Sequence, residues 1–213
     1  MNAAQKFWDK QAERFDKSDT NFESANNDLI YRTREYLNPE DKVLDFGCAT
    51  GRKTLKLAEG IKHVYGLDFS AEMIREAMKN KISAAAENVS FTQGTIYSED
   101  LEKSSFDKIT AYSVIHLLED SDNAIQRIYE LLKPGGLFIS ETACFKDNMA
   151  LKTRIEVSMF LLLKRFGFFP LHLNKFSTND LVQLIRKNNF NIIESDNLFY
   201  NGMTLSFIVA EKI

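Results

Sequence analysis

Three features of this 213-residue sequence combine residue types and spacing that chemistry could use: the segment Val43 to Gly51, an aspartate at position 68, and a histidine at position 116. Val43-Leu44-Asp45-Phe46-Gly47-Cys48-Ala49-Thr50-Gly51 reads as an apolar strand end, a carboxylate, and then a glycine-containing turn into a helix. Glycine tolerates positive φ, and its missing side chain lets backbone N–H groups come close to a ligand, so a ligand is expected over this turn. Seventeen residues past Gly51, the second strand ends in Gly66-Leu67-Asp68. That ending puts an acid at the carboxyl edge of a sheet beside the turn, where it can accept hydrogen bonds from both hydroxyls of a ribose. Turn and acid together indicate an adenosine-containing ligand. The bland reading of Asp68 is a cap for the next helix, but Ser70, followed by Met73 and Ile74, can fill that role alone.

The elements that must position these groups follow from periodicity. Strands are expected at Lys42 to Phe46, His63 to Leu67, Asn88 to Thr92, Phe106 to Tyr112 and Leu137 to Thr142, with helices through Leu55 and Leu57, through Met73, Ile74 and Met78, and from Ala124 to Leu132. Strands separated by helices need crossover connections, which produce a parallel sheet covered on both faces. The last third departs from this alternation. A helix from Thr178 to Asn188 precedes strands at Phe190 to Ser195 and Leu205 to Glu211, and Asn201-Gly202 indicates a reversal between them. The expected fold is therefore a Rossmann-like, doubly wound α/β sheet of seven strands, with strands 1–5 and 6 parallel and the last antiparallel. An N-terminal helix carries Phe7, Trp8, Gln11, Ala12 and Phe15 before polar residues from Ser18 to Asn27 interrupt its period.

Composition narrows the class of function. The chain is 44% hydrophobic and 27% charged, and 27 Lys and Arg against 30 Asp and Glu leave a formal charge of -3. These values suit one globular domain and lack the basic footprint of a non-specific nucleic-acid binder. Cys48 and Cys144 suggest neither a disulfide framework nor a metal site. Charged residues near the N-terminus and the lack of a long apolar run suggest a cytoplasmic setting.

The ordered motifs resemble the class I S-adenosylmethionine-dependent methyltransferases, from about Leu37 to the C-terminus. Asp45, Gly47, Ala49 and Gly51 are similar to that family's first motif, Asp-x-Gly-x-Gly-x-Gly, with Ala49 in place of the middle glycine. Asp68 is similar to its ribose-binding acid, and Phe91-Thr92-Gln93-Gly94-Thr95-Ile96 to its adenine segment, with Thr95 where members often carry Asp. Phe106 to Leu118 resembles the fourth strand and its exit, and Leu131-Leu132-Lys133-Pro134-Gly135-Gly136-Leu137 the turn into the fifth. The resemblance implies S-adenosyl-L-methionine as cofactor, S-adenosyl-L-homocysteine as product and no metal. It implies a cofactor site made of Asp45, Gly47, Cys48, Ala49, Gly51, Asp68, Phe69, Met73, Gly94, Thr95, Ile96 and Tyr112, with Ser113 beside Tyr112 at the methionine end. It also divides one domain into a helical cap (1–36), a cofactor-binding core (37–145), an acceptor-side insertion (146–176), and a C-terminal helix and strand pair (177–213). The N-terminal helix resembles the one that closes over the cofactor in quinone-type members, with Phe15 where those often carry Tyr.

Competing readings fit less well. A dinucleotide oxidoreductase should have its third glycine near position 52, where Arg52 and Lys53 stand. Nucleic-acid amino-group methylation lacks its Asn-Pro-Pro-aromatic segment, since Ala111-Tyr112-Ser113-Val114 follows strand four. A non-catalytic cofactor-binding regulator stays open and would be favoured by a pocket filled by Phe166 to Phe169. For catalysis, His116 lies just past the fourth strand, placed to act as a base, against the alternative that Glu119 or Asp120 binds it within the loop. The insertion holds Lys146, Lys152, Arg154, Lys164, Arg165 and Lys175 against Asp147 and Glu156, together with Met149, Ile155, Met159, Phe160 and Leu163. It reads as a lid over a small lipophilic or aromatic acceptor, as a basic amphipathic surface making peripheral contact with an anionic membrane, or as a helix packed on the core with solvated lysines. Oligomeric state is not legible.

Overall fold

A computed structural model describes residues 3–19, 23–166 and 169–213 of the chain. Gly167 and Phe168 of the aromatic segment, and positions 20–22 of the expected polar break, lie outside the described residues. The seven strands are β1 (Lys42–Phe46), β2 (His63–Asp68), β3 (Val89–Gln93), β4 (Phe106–Tyr112), β5 (Leu132–Met149), β6 (Phe190–Tyr200) and β7 (Met203–Lys212). They form one sheet in the order β3-β2-β1-β4-β5-β7-β6. The pairs β1–β2, β1–β4, β2–β3 and β4–β5 are parallel and β7 is antiparallel, the directions the sequence leads one to expect; β7 lies between β5 and β6.

The helices are α1 (Ala3–Asp19), α2 (Glu23–Arg34), α3 (Arg52–Leu57), α4 (Ala71–Ser83), α5 (Ser121–Leu131), α6 (Leu151–Arg165) and α7 (Thr178–Lys187). The sheet separates two cores because successive strand residues face opposite ways. Phe138 of β5 and Ile208 of β7 join Ile125 and Ile128 of α5 and Leu181 and Ile185 of α7 in one core. Their chain neighbours Ile139 and Val209 join Leu29 and Ile30 of α2 and Leu57 of α3 in the other. This two-sided burial explains why β1 and β4 read as continuous apolar runs rather than as alternating strands. The strand order reverses between β1 and β4, which opens a crevice at their carboxyl ends.

Three expectations needed adjusting. Strand β5 begins at Leu132, not Leu137: Leu132 already pairs with Phe106, and the Pro134-Gly135-Gly136 turn is a register shift inside the strand, with φ of +73° at Gly135. Strands β6 and β7 run further than expected and meet at Asn201 (φ 46°) and Gly202 (φ 78°), the doubly left-handed pair that a tight hairpin turn requires. Finally, α2 starts at Glu23, inside the stretch taken as a polar break. Its polar opening hides a helical spacing of buried Ala25, Leu29, Ile30 and Thr33. Arg32 of the same helix forms ion pairs with Glu194 and Asp196 of β6 and sits 4.3 Å over the Phe207 ring, fixing α2 to the sheet.

Candidate functional site

A cavity of about 830 Å³ opens at the β1/β4 crevice, within the size range of small-molecule sites. Its lining includes Asp45, Gly47, Cys48, Ala49, Asp68, Phe69, Met73, Gly94, Thr95, Ile96, Tyr112, Ser113 and His116. Of the residues expected at the site, Gly51 alone is missing from that lining. Its φ is +76°, and a Cβ there would come within 2.3 Å of Phe91 Cζ. A Cβ on Gly66 would lie 2.4 Å from Cδ1 of the same ring. Two glycines therefore seat one phenyl ring and bring α3 and β3 close to β2. Gly51 shapes the turn from behind, by packing.

Asp45 ties the turn together. Its two carboxylate oxygens accept hydrogen bonds from Thr54 Oγ1 of α3 (2.5 Å) and Thr110 Oγ1 of β4 (2.9 Å). Burial pushes this carboxyl above its ordinary value, and the two hydroxyls oppose that shift. Asp68 is buried beside it and accepts one backbone bond on each oxygen, from Ala49 N (3.0 Å) and from Ser70 N (2.9 Å). A carboxylate oxygen can accept more than one bond, so both keep capacity toward the cavity. Burial is the main reason its pKa rises from 3.8 to about 6. Helix α4 is capped by Ser70, whose Oγ accepts from Met73 N at 3.1 Å, so the capping role is filled without Asp68.

The turn after β3 holds Gly94, Thr95 and Ile96. Gly94 N donates to Asp68 O and Thr95 N to Ser98 Oγ, while the Thr95 hydroxyl accepts from Tyr97 N at 3.3 Å. The Thr95 hydroxyl is thus engaged within its own turn, away from the role an aspartate would have there. The Tyr112 hydroxyl is also used elsewhere, 2.8 Å from Thr33 Oγ1 of α2. Only the ring edge of Tyr112 is left to the cavity.

Helix α1 covers the opening of this half. Asp9 Oδ1 accepts from Ser70 Oγ (2.6 Å) and from Glu72 N (3.3 Å) at the start of α4. Asp16 accepts from Thr50 Oγ1 (2.5 Å) and Asn80 Nδ2 (3.1 Å). Trp8 and Phe15 line the cavity, with ring centroids 6.2 Å apart. Acids on α1 therefore contact both the glycine turn and the first turn of α4. Sequence periodicity exposed the aromatic residues but not these acids.

The other half is mostly apolar, although Glu119, Glu141, Glu156 and His172 also line the cavity. Val114, Leu117, Leu118, Phe145, Phe160 and Leu171 are among its walls. His116 lies in the short turn Ile115–Leu117, 8% exposed, with its ring edge-on to Phe145 at 5.6 Å. Its Nδ1 is buried with no hydrogen-bond partner among the described residues, and burial lowers its pKa from 6.5 to about 4. Neither Glu119 nor Asp120 therefore bonds to Nδ1; the Asp120 carboxylate instead caps α5, accepting from Asn123 N (3.0 Å) and Asn123 Nδ2 (2.6 Å). Sequence reasoning missed Glu141, a buried acid of β5 that lines the cavity and accepts from Ser113 Oγ at 2.9 Å. The signal was the one charged residue within the otherwise uncharged Leu137 to Phe145 run. Ser113 adopts φ of +56°, and its N–H donates to Glu141 O, so the chain kinks sharply where β4 ends.

These residues suit an adenosylated sulfonium. A carboxylate on the lining, held by two backbone amides, keeps accepting capacity, small residues line the turn, and the cavity also includes a buried imidazole. The sequence matches the methyltransferase domain family over residues 37–190. An uncharacterized methyltransferase of Geobacillus kaustophilus is 30% identical over 156 residues, covering 70% of this chain and 71% of that protein. A demethylmenaquinone methyltransferase of Lactococcus lactis is 35% identical over 97 residues, but the match covers 44% of this chain and only 38% of that protein. The crystal structure of the YcgJ protein of Bacillus subtilis superposes with a TM-score of 0.69 at 19% identity, covering 87% of this chain and 98% of that one, a likeness of fold. Matched domain and sheet order agree: the chain belongs to the class I S-adenosylmethionine-dependent methyltransferase family.

Proposed function

We propose that the chain transfers a methyl group to a small apolar or aromatic acceptor, and that His116 takes the proton the acceptor loses. The observation that carries this reading is the buried His116 ring in the lining of a mostly apolar half-cavity, its Nδ1 without a hydrogen-bond partner among the described residues. The cofactor would supply an activated methyl group on a sulfonium, so the protein's work is alignment, desolvation and proton removal. Asp68 would orient the ribose and Ile96 the adenine face. His116 stays neutral through the ordinary pH range because burial opposes its charging. Its protonation during transfer would bring in a positive charge as the cofactor's own is lost, so the net charge of the site would stay the same. The name of the demethylmenaquinone methyltransferase relative supports an apolar, ring-bearing acceptor.

A filled pocket would have favoured a non-catalytic regulator. Among the described residues of that segment, Phe166 is 67% exposed and Phe169 packs on Phe160 with ring centroids 4.3 Å apart; Phe160 lines the cavity, and neither Phe166 nor Phe169 does. The test combines calorimetric titration with S-adenosylhomocysteine and mass-spectrometric screening of apolar phenols, quinols and thiols for a gain of one methyl group. Binding with turnover of such an acceptor is expected. Binding followed by methylation of only charged or polymeric acceptors would overturn the acceptor class.

A further inference from the structure

We infer that α6 docks on an anionic lipid bilayer through the face it turns away from the cavity. Helix α6 has two apolar faces. Thr153, Val157 and Phe160 face inward, the first buried and all three lining the cavity. Leu151, Ile155, Met159, Leu162 and Phe166 face outward at 73%, 59%, 56%, 55% and 67% exposure. At 3.6 residues per turn these five occupy one arc of about 80°, a continuous stripe rather than scattered contacts.

The helix cannot roll to bury this stripe. Its first turn is held by Ala150 N donating to Gly202 O at 2.8 Å and by Thr153 Oγ1 donating to Asn201 O at 3.5 Å. A Cβ on Gly202 would lie 2.5 Å from Thr153 Oγ1, so hairpin and helix are in close contact.

Charge identifies the occupant. Lys152, Arg154, Lys164 and Arg165 face a single acid within the helix, Glu156, in a chain whose formal charge is -3. By helical geometry Arg154 and Arg165 border one side of the stripe and Lys152 the other. An apolar strip edged by long cationic side chains matches acyl chains beneath anionic headgroups; a second copy of the same face would bring like charges together. Among the described residues no helix is long and apolar enough to cross a membrane, so the contact is peripheral. If the acceptor is lipophilic, as proposed above, the helix that roofs its cavity is also the one resting on the membrane.

Flotation of the full-length chain with phosphatidylcholine vesicles, with and without phosphatidylglycerol, tests the inference. Partitioning is expected on the anionic vesicles, weakening as salt rises. Ile155→Ser with Leu162→Ser should lower the partition coefficient at least about tenfold, and Arg154→Glu with Arg165→Glu should abolish the preference for phosphatidylglycerol. Ile82→Ser, an equally exposed apolar change on α4, should leave partitioning unaltered. Absence of partitioning by the unaltered chain, or partitioning insensitive to both double variants, overturns the proposal. So does a dimer in light scattering that Ile155→Ser with Leu162→Ser dissolves. Titration of the same samples with S-adenosylhomocysteine reports separately on cofactor binding, so failure here leaves the methyl-transfer reading standing.

Discussion

The two halves of the cavity are built on opposite principles. Around Asp45 and Asp68 the polar groups answer one another: hydroxyls of Thr54 and Thr110, and amides of Ala49 and Ser70, hold two buried carboxylates in fixed directions. Beyond Val114 the walls are mostly apolar, and His116 Nδ1 has no hydrogen-bond partner among the described residues. A satisfied network fixes one ligand geometry, whereas a mostly apolar wall admits many shapes. On the proposed reading the difference teaches where each specificity would reside: the cofactor would be recognised by directed bonds, the acceptor by volume and a proton contact.

The comparison breaks most sharply where the halves meet. His116→Asn should lower kcat by about 10²–10⁴-fold while S-adenosylhomocysteine affinity stays unchanged. Burial lowers the imidazole to about 4, so the acid limb of the kcat profile should lie near pH 4 rather than at the ordinary 6.5, and the variant should lose it. A limb at 6.5 would mean that some other group titrates. Next in size, Gly51→Ala should cost roughly 2–4 kcal/mol, combining left-handed φ with overpacking against Phe91, and should appear as a lower melting temperature in calorimetry.

Asp68→Ala should weaken S-adenosylhomocysteine by about 100-fold, since charged hydrogen bonds are lost and two amides are orphaned. The pH dependence sharpens the point. Binding uses the carboxylate, and burial raises its pKa to about 6, so affinity in the unaltered chain should decline as pH falls through 6 and be flat in Asp68→Asn. The apo fold behaves in the opposite sense. A folded pKa above the ordinary 3.8 favours the protonated group, a stabilisation complete below 3.8 and lost as pH rises through 6. The smallest effect is expected at the cover: Asp16→Ala removes contacts to Thr50 and Asn80 and should reduce cofactor affinity about fivefold, at the scale of one or two ordinary hydrogen bonds.

What the sequence revealed follows the same division. The glycine turn, the position of Asp68 and the number and directions of the strands were legible because each depends on local chemistry: φ at a turn, an acid at a strand end, alternation of periods. Glu141 and the acids of α1 were not, because their meaning lies in partners far along the chain, Ser113 for one and Thr50 or Ser70 for the others. Thr95 and Tyr112 were legible as positions but not as roles. Their hydroxyls are drawn to Tyr97 N and to Thr33, contacts that no spacing reveals. Helix α2 was hidden by its polar first turn, and α6 spoke ambiguously because both its faces are apolar.

The place of β7 has a consequence for how the molecule comes into being. It is the last strand along the sequence, yet it sits between β5 and β6. Residues emerge from the ribosome at about 5–20 per second. From the emergence of β5 until residues 203–212 follow, β5 has an unsatisfied edge and Phe138 and Ile139 lack their cover, a template for unwanted pairing. The nascent chain thus carries a vulnerable edge between the synthesis of β5 and that of β7, resolved only when the β6–β7 hairpin threads into the gap.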